Sequence, residues 1–194
     1  IALVYLLGSG LLGFGLMWFL FNLPDSVIDW LFQTVLNKRQ EQNLFADDGL
    51  YVITTGTGAP LPDENRAGPQ AVVVAGDEIL LFDAGPGSTH RIEMIGLDTN
   101  AISALFMTHY HSDHISDLGE FMLQHWTGAG ATEPLKVYGP PGVEEVVAGF
   151  LAAYQLDRGY RIVHHGTDVM PPSGFGAVAH TFDLGTDLMS SEVV

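Results

Sequence analysis

Cysteine is absent from all 194 residues. Disulfides and thiolate metal sites are therefore excluded, and any metal ion must be held by imidazole and carboxylate groups. Basic residues are almost as scarce: 7 Lys and Arg stand against 23 Asp and Glu, for a formal net charge of -16. A phosphate backbone is normally gripped by clustered Lys and Arg, so nucleic acid is not expected as a partner. No internal repeat and no low-complexity tract interrupts the chain. What is plentiful is apolar material, 47% of the residues, and glycine, 23 in number. That combination suits a packed core joined by tight turns.

Charge is also missing from residues 1–21, IALVYLLGSGLLGFGLMWFLF. A helix of that length reaches about 30 Å, the thickness of a bilayer's hydrocarbon core. Trp18 sits where an interfacial aromatic is expected, and no small-x-small cleavage site follows. The reading is a single-pass transmembrane helix over 1–22, with a juxtamembrane amphipathic helix and linker over 23–48. The protein is thus expected to be membrane-anchored, its domain on the extracytoplasmic side. Ile1 lies inside an apolar run and Glu192-Val193-Val194 reads as an opening strand, so the chain is expected to be a fragment.

From residue 49 strands and helices alternate. Strands are expected at Tyr51–Thr55, at Gln70–Ala75 and Ile79–Phe82 (a hairpin turning at Gly76-Asp77-Glu78), at Ala101–Met107 and at Leu135–Tyr138. Helices are expected near Thr89–Ile95, Ile115–Gln124 and Val143–Tyr154, the last opened by Pro140-Pro141-Gly142. Hairpins come first, unlike the regular alternation of a doubly wound sheet.

The chemistry follows the strand Ala101–Met107, in Thr108-His109-Tyr110-His111-Ser112-Asp113-His114. His109 and His111 are two apart, so in extended chain they point the same way and can share an ion. Asp113 and His114 come where the chain turns into the next helix, within reach of a second ion. Neutral imidazoles and a carboxylate suit Zn²⁺ and similar divalent ions. Three His and one Asp within six residues are not a scatter of solvated side chains.

Thr-His-x-His-x-Asp-His after a buried strand resembles the metal motif of the metallo-β-lactamase superfamily. Thr55-Gly56-Thr57-Gly58-Ala59-Pro60-Leu61-Pro62 with Asn65-Arg66-Ala67-Gly68-Pro69 is similar to the ribonuclease Z and arylsulfatase-type branch. So is Tyr138-Gly139-Pro140-Pro141-Gly142. Leu81-Phe82-Asp83-Ala84-Gly85-Pro86-Gly87 resembles the family's second motif, whose Asp supports the metal site without ligating it. The resemblance implies an α/β fold, the metallo-β-lactamase αββα sandwich (N-terminal part only), over 49–194. It implies two divalent metal ions, most simply Zn²⁺, on His109, His111, Asp113 and His114, with Asp83 behind them. It also implies a third His, a bridging Asp and a last His. His164, His165 and His180 do not match those contexts, and His125 is expected on a helix face.

The implied reaction is hydrolysis of a small ester, a phosphodiester or aryl sulfate, by a metal-activated hydroxide. Asp113 would orient or deprotonate the attacking water. Gly56, Thr57 and Gly58, and more weakly His90, are candidates to line the substrate pocket. The expected partners are that small molecule and the membrane, and a homodimer stays open. Alternatives are a ribonuclease Z-like transfer RNA 3′-processing endonuclease and a non-catalytic metal-binding relative.

Overall fold

In the computed structural model the chain divides into two units, Ile1–Asn43 and Leu44–Val194. The structure describes residues 49–182 apart from 62 and 130, together with Pro24 and Val27. The sheet lies in the second unit.

Valine- and leucine-rich runs form its strands: β1 (Leu50–Gly56), β2 (Gln70–Ala75), β3 (Glu78–Phe82), β4 (Ala104–Phe106), β5 (Leu135–Gly139) and β6 (Ala177–Thr181). They pair in sequence order as one six-stranded sheet. β1 to β3 are antiparallel, and β3 to β6 are parallel. Gly76, at φ 58, makes the β2–β3 turn where a side chain would strain the backbone. Parallel neighbours need crossovers. α1 (Ser88–Met94) joins β3 to β4, α2 (Ser112–Ile115) and α3 (Leu118–Ala129) join β4 to β5, and α4 (Val143–His165) joins β5 to β6.

Alternation along the strands sends Val72, Val74, Leu81, Leu105 and Val137 into one core. They meet Ile92 of α1, Leu118, Phe121 and Met122 of α3, and Val143 and Val147 of α4. The helices therefore share that face of the sheet. On the opposite face, Phe82, Phe106, Tyr138 and His180 occupy matching register positions. Their rings stack at 5.3, 5.0 and 4.8 Å in turn.

One mixed sheet with its helices agrees with the expected N-terminal part of the αββα sandwich. The transmembrane helix needs correction: no helix among the described residues is long and apolar enough to cross a membrane. The longest of them, α4, carries Glu144, Glu145, Asp157, Arg158 and Arg161, charges that hydrocarbon strongly disfavours. Residues 1–22 themselves, and 23–48 apart from Pro24 and Val27, lie outside the described residues. The membrane as partner and the membrane-anchored, extracytoplasmic placement are likewise not upheld by the described residues.

Candidate metal centre

β3 and β4 run parallel, so the loops after Phe82 and Phe106 leave the same end of the sheet. Side chains from such carboxyl-end loops converge. Asp83 is buried and has φ 64, a left-handed conformation that Asp tolerates better than most residues. Its N–H donates to the Phe106 carbonyl at 2.8 Å, and its own carbonyl accepts from the buried Gln70 side chain at 3.1 Å.

The Asp83 carboxylate organises what faces it. Oδ1 accepts the Thr108 backbone N–H at 2.8 Å. The Thr108 hydroxyl lies 2.9 and 2.8 Å from the two oxygens, and Nδ1 of His114 lies 2.8 Å from Oδ2. An ionised carboxylate only accepts. The single hydroxyl proton of Thr108 therefore goes to Asp83, and its oxygen accepts from Nδ1–H of His109 at 3.0 Å. His109 is left with a bare Nε2, which sits 3.0 Å from Nδ1 of His111. By the same logic Nδ1–H of His114 donates to Asp83. The bare Nε2 of His114 lies 3.6 Å from Oδ2 of Asp113. One carboxylate thus sets the tautomers of two histidines.

Two donors on one tetrahedral ion at about 2.1 Å stand about 3.4 Å apart. The separations of 3.0 and 3.6 Å lie on either side of that value. His109 with His111, and Asp113 with His114, each fit two corners of a divalent ion. They are pairs only: among the described residues no group of three or more His, Asp or Glu is arranged to hold a metal. His125 is buried in α3 between the carbonyls of Thr99 and Glu133. His164 and His165 close α4, and His180 stacks on Tyr138 from β6.

Tyr110 anchors the motif from behind. Its hydroxyl donates to the Pro140 carbonyl. Glycine is required beside it, because a Cβ at Gly139 would stand 2.6 Å from that hydroxyl. Burial, followed by the nearby Glu144 and Glu145, raises the Tyr110 pKa, so the phenol keeps its proton as a donor at neutral pH. In front, the β3–α1 loop is tied to α2: Ala84 N–H donates to the His114 carbonyl at 2.8 Å. A Cβ at Gly85 would lie 2.5 Å from the Asp113 carbonyl oxygen and 2.5 Å from backbone of Gly68. Gly85→Ala is accordingly expected to lower stability by about 1–3 kcal/mol, read as an earlier denaturant midpoint. An unchanged midpoint would show that the two loops can part.

The glycine loop after β1 packs tightly on its own neighbour. Gly58 N–H donates to the Ala67 carbonyl at 2.7 Å, and a Cβ at Gly56 would overlap the Gly68 carbonyl. Thr57 lines one cavity and His90 a neighbouring one. His90 is well exposed, 3.9 Å from Glu93. Thr108, Gln70 and the anchoring of Tyr110 escaped the sequence reading. Thr108 stands inside the quoted motif, but its type alone does not mark a proton relay.

Residues 65–192 match the family model described as Metallo-beta-lactamase superfamily. The chain belongs to that superfamily, whose fold implies divalent metal ions, typically zinc. Within it, the chain is 46% identical over 125 residues to ribonuclease Z of Mycolicibacterium gilvum (strain PYR-GCK), covering 63% of this chain and 44% of that protein. It is 43% identical over 126 residues to ribonuclease Z of Mycobacterium avium (strain 104), covering 64% and 45%. The chain spans less than half the length of these curated relatives. The crystal structure of human tRNase Z, short form, superposes with a TM-score of 0.51 at 24% identity, covering 69% of this chain and 45% of that one. The metallo-beta-lactamase fold protein YhfI from Bacillus subtilis gives 0.51 at 19%, covering 69% and 47%. At such identities both solved structures speak to the fold alone.

The ribonuclease Z relatives overturn the expectation of a small-molecule ester partner with nucleic acid set aside. That expectation took the net charge of -16 for a local property, whereas the sum says nothing about one patch. The arylsulfatase side of the resemblance gains no support from these relatives.

Proposed function

We propose that this chain belongs to a ribonuclease Z-like, metal-dependent hydrolase that cuts a phosphodiester in the 3′ extension of transfer RNA precursors. Residues 49–194 are its metallo-β-lactamase-fold domain. The observation that carries the reading is the pairing of His109 with His111 and of Asp113 with His114 at donor spacings of 3.0 and 3.6 Å. It stands in a chain that is 46% identical to a ribonuclease Z over 125 residues.

His109 and His111 would hold one divalent ion, and Asp113 and His114 the second, with zinc suited to this nitrogen and oxygen set. When bound, such ions supply Lewis acidity toward phosphate oxygens and make water a competent nucleophile at neutral pH. The chain's own residues do the rest. Asp83, through Thr108 and directly, keeps Nε2 of His109 and of His114 unprotonated. Asp113 orients the attacking water and takes its proton. Tyr110, tied to Pro140, fixes the backbone between the two motif histidines. The packed loop Gly56–Gly58 shapes the near wall.

The test offers the full-length, zinc-loaded protein a precursor transfer RNA with a 3′ extension, an aryl sulfate and a small phosphodiester. Cleavage of the RNA at one site is expected, abolished by EDTA. Small-ester turnover should be at least about a hundredfold less efficient, because the small esters lack the remote binding energy of the RNA. Rapid turnover of the aryl sulfate with the RNA left intact would overturn the reading.

A further inference from the structure

Five basic side chains lie among the described residues: Arg66, Arg91, Lys136, Arg158 and Arg161. Arg161 pairs with Asp157 at 2.7 Å, and Arg158 lies over the Phe175 ring at 5.5 Å. Arg66 and Arg91 instead line one cavity of about 260 Å³ together with Thr57 and Asn65. Both also line a neighbouring cavity of about 380 Å³.

The donors there are largely unused. Arg91 gives one N–H to the Asn65 carbonyl at 3.0 Å. It makes no ion pair among the described residues. Arg66 is 3.8 Å from Asp63, with both side chains exposed, and such an ion pair holds a guanidinium only loosely. Two guanidinium groups beside a hydroxyl and a side-chain amide form a set that recognises a tetrahedral oxyanion. Glu64 lines only the larger cavity, which directs an anion to the smaller.

The cavity also stands at the right end of the sheet. Gly56, closing β1, pairs with Gln70, whose side chain bonds the Asp83 carbonyl. Gly68 abuts Pro86, and Gly85 abuts the Asp113 carbonyl. The loop carrying Arg66 is therefore fastened to the loop carrying Asp113 and His114.

We propose that Arg66 and Arg91 form an oxyanion site for a backbone phosphate of the RNA strand, flanking the phosphate that is cleaved. The inference rests on the ribonuclease reading. It also offers so acidic a chain a local means of engaging a polyanion: two of its five described basic side chains share one cavity, and the loop of Arg66 is fastened to the loop of the metal motif.

The experiment has two arms on the full-length protein. In the first, inorganic phosphate is titrated into EDTA-treated, ¹⁵N-arginine-labelled protein. The Nε–H signals of Arg66 and Arg91, assigned through Arg66→Gln and Arg91→Gln, are expected to move together. Signals that stay still overturn the site. In the second, the double variant is assayed on precursor transfer RNA. KM is expected to rise about tenfold, with the loss falling on KM and not on kcat. The slope of log KM against log salt should flatten by about 0.7 for each phosphate of a single strand that is no longer neutralised. Arg91→Lys, which keeps the charge, should restore part of the affinity. A phosphate response with unchanged RNA KM and slope overturns the assignment to the strand and leaves a site for free phosphate only. A phosphate response in a protein that does not cleave RNA leaves the oxyanion site standing and overturns both the strand assignment and the ribonuclease reading.

Discussion

Replacing His109 or His111 with alanine in the full-length protein is expected to abolish hydrolysis, on the order of a thousandfold or more, and to remove about one metal equivalent. The expectation follows from donor supply. Nε2 of His109 and Nδ1 of His111 stand 3.0 Å apart, the spacing of two corners of one ion, and neither has a replacement among the described residues. A site that loses a corner loses affinity first and Lewis acidity with it. The fold should survive. His111 is exposed and His109 half-buried, while Thr108 keeps its bonds to Asp83. The melting temperature of the metal-free variants is therefore expected to stay within a few degrees of the parent. Metal analysis by plasma mass spectrometry and RNA cleavage would be read on the same samples. Full activity with full metal content in either variant would remove His109 and His111 from the site. His114→Ala makes the informative contrast, because its loss falls on the pair with Asp113.

Much of this was legible because local chemistry and tertiary placement agreed. The hairpin at residues 70–82 was plain, since Gly76-Asp77 turns two alternating runs and nothing elsewhere competes. The metal motif could be read from residue types and their spacing, whereas a supporting role for Asp83 came only from the resemblance of Leu81–Gly87 to the family's second motif. Where the reading slipped, a side-chain or cross-strand partner that periodicity does not register had intervened. The strand expected over Ala101–Met107 shrinks to Ala104–Phe106, because the Asp98 side chain takes the Asn100 N–H and turns residues 99–101 into a 3₁₀ helix. The helix expected over Ile115–Gln124 starts at Ser112 and is interrupted at Asp117. There the backbone N–H goes to the Ala84 carbonyl and the carboxylate takes the Thr89 N–H. α4 runs on to His165 past Gly159, helped by the Asp157–Arg161 pair one turn apart. β6 went unseen because five residues of mild alternation become a strand only beside β5. The relay through Thr108 was invisible for a related reason. Its meaning depends on Asp83, 25 residues away.

That relay yields the second large effect. Asp83→Asn is expected to lower metal affinity by about 10–100-fold, with the loss concentrated on the ion held by Asp113 and His114. Asn accepts the left-handed backbone at φ 64 as readily as Asp does, so the chain path should hold and the change is electronic. An amide offers one acceptor atom where the carboxylate offered two. Its oxygen can still take the Thr108 N–H and hydroxyl, which leaves the His109 tautomer in place. Its NH₂ then faces Nδ1 of His114, which must become an acceptor. The ring proton moves to Nε2, the atom 3.6 Å from Asp113, and the lone pair needed for an ion is gone. Thr108→Val makes the complementary cut. It removes the hydroxyl between Asp83 and His109 and leaves His114 untouched, so its loss should fall on the ion held by His109 and His111. Competitive chelator titration would separate the two affinities, and imidazole ¹⁵N shifts in the metal-free protein would report each tautomer directly. If Asp83→Asn leaves both affinities and the His114 tautomer unchanged, Asp83 is only a structural fastener between β3 and β4. If the two variants weaken different ions, one buried carboxylate prepares both halves of the site through separate hydrogen bonds.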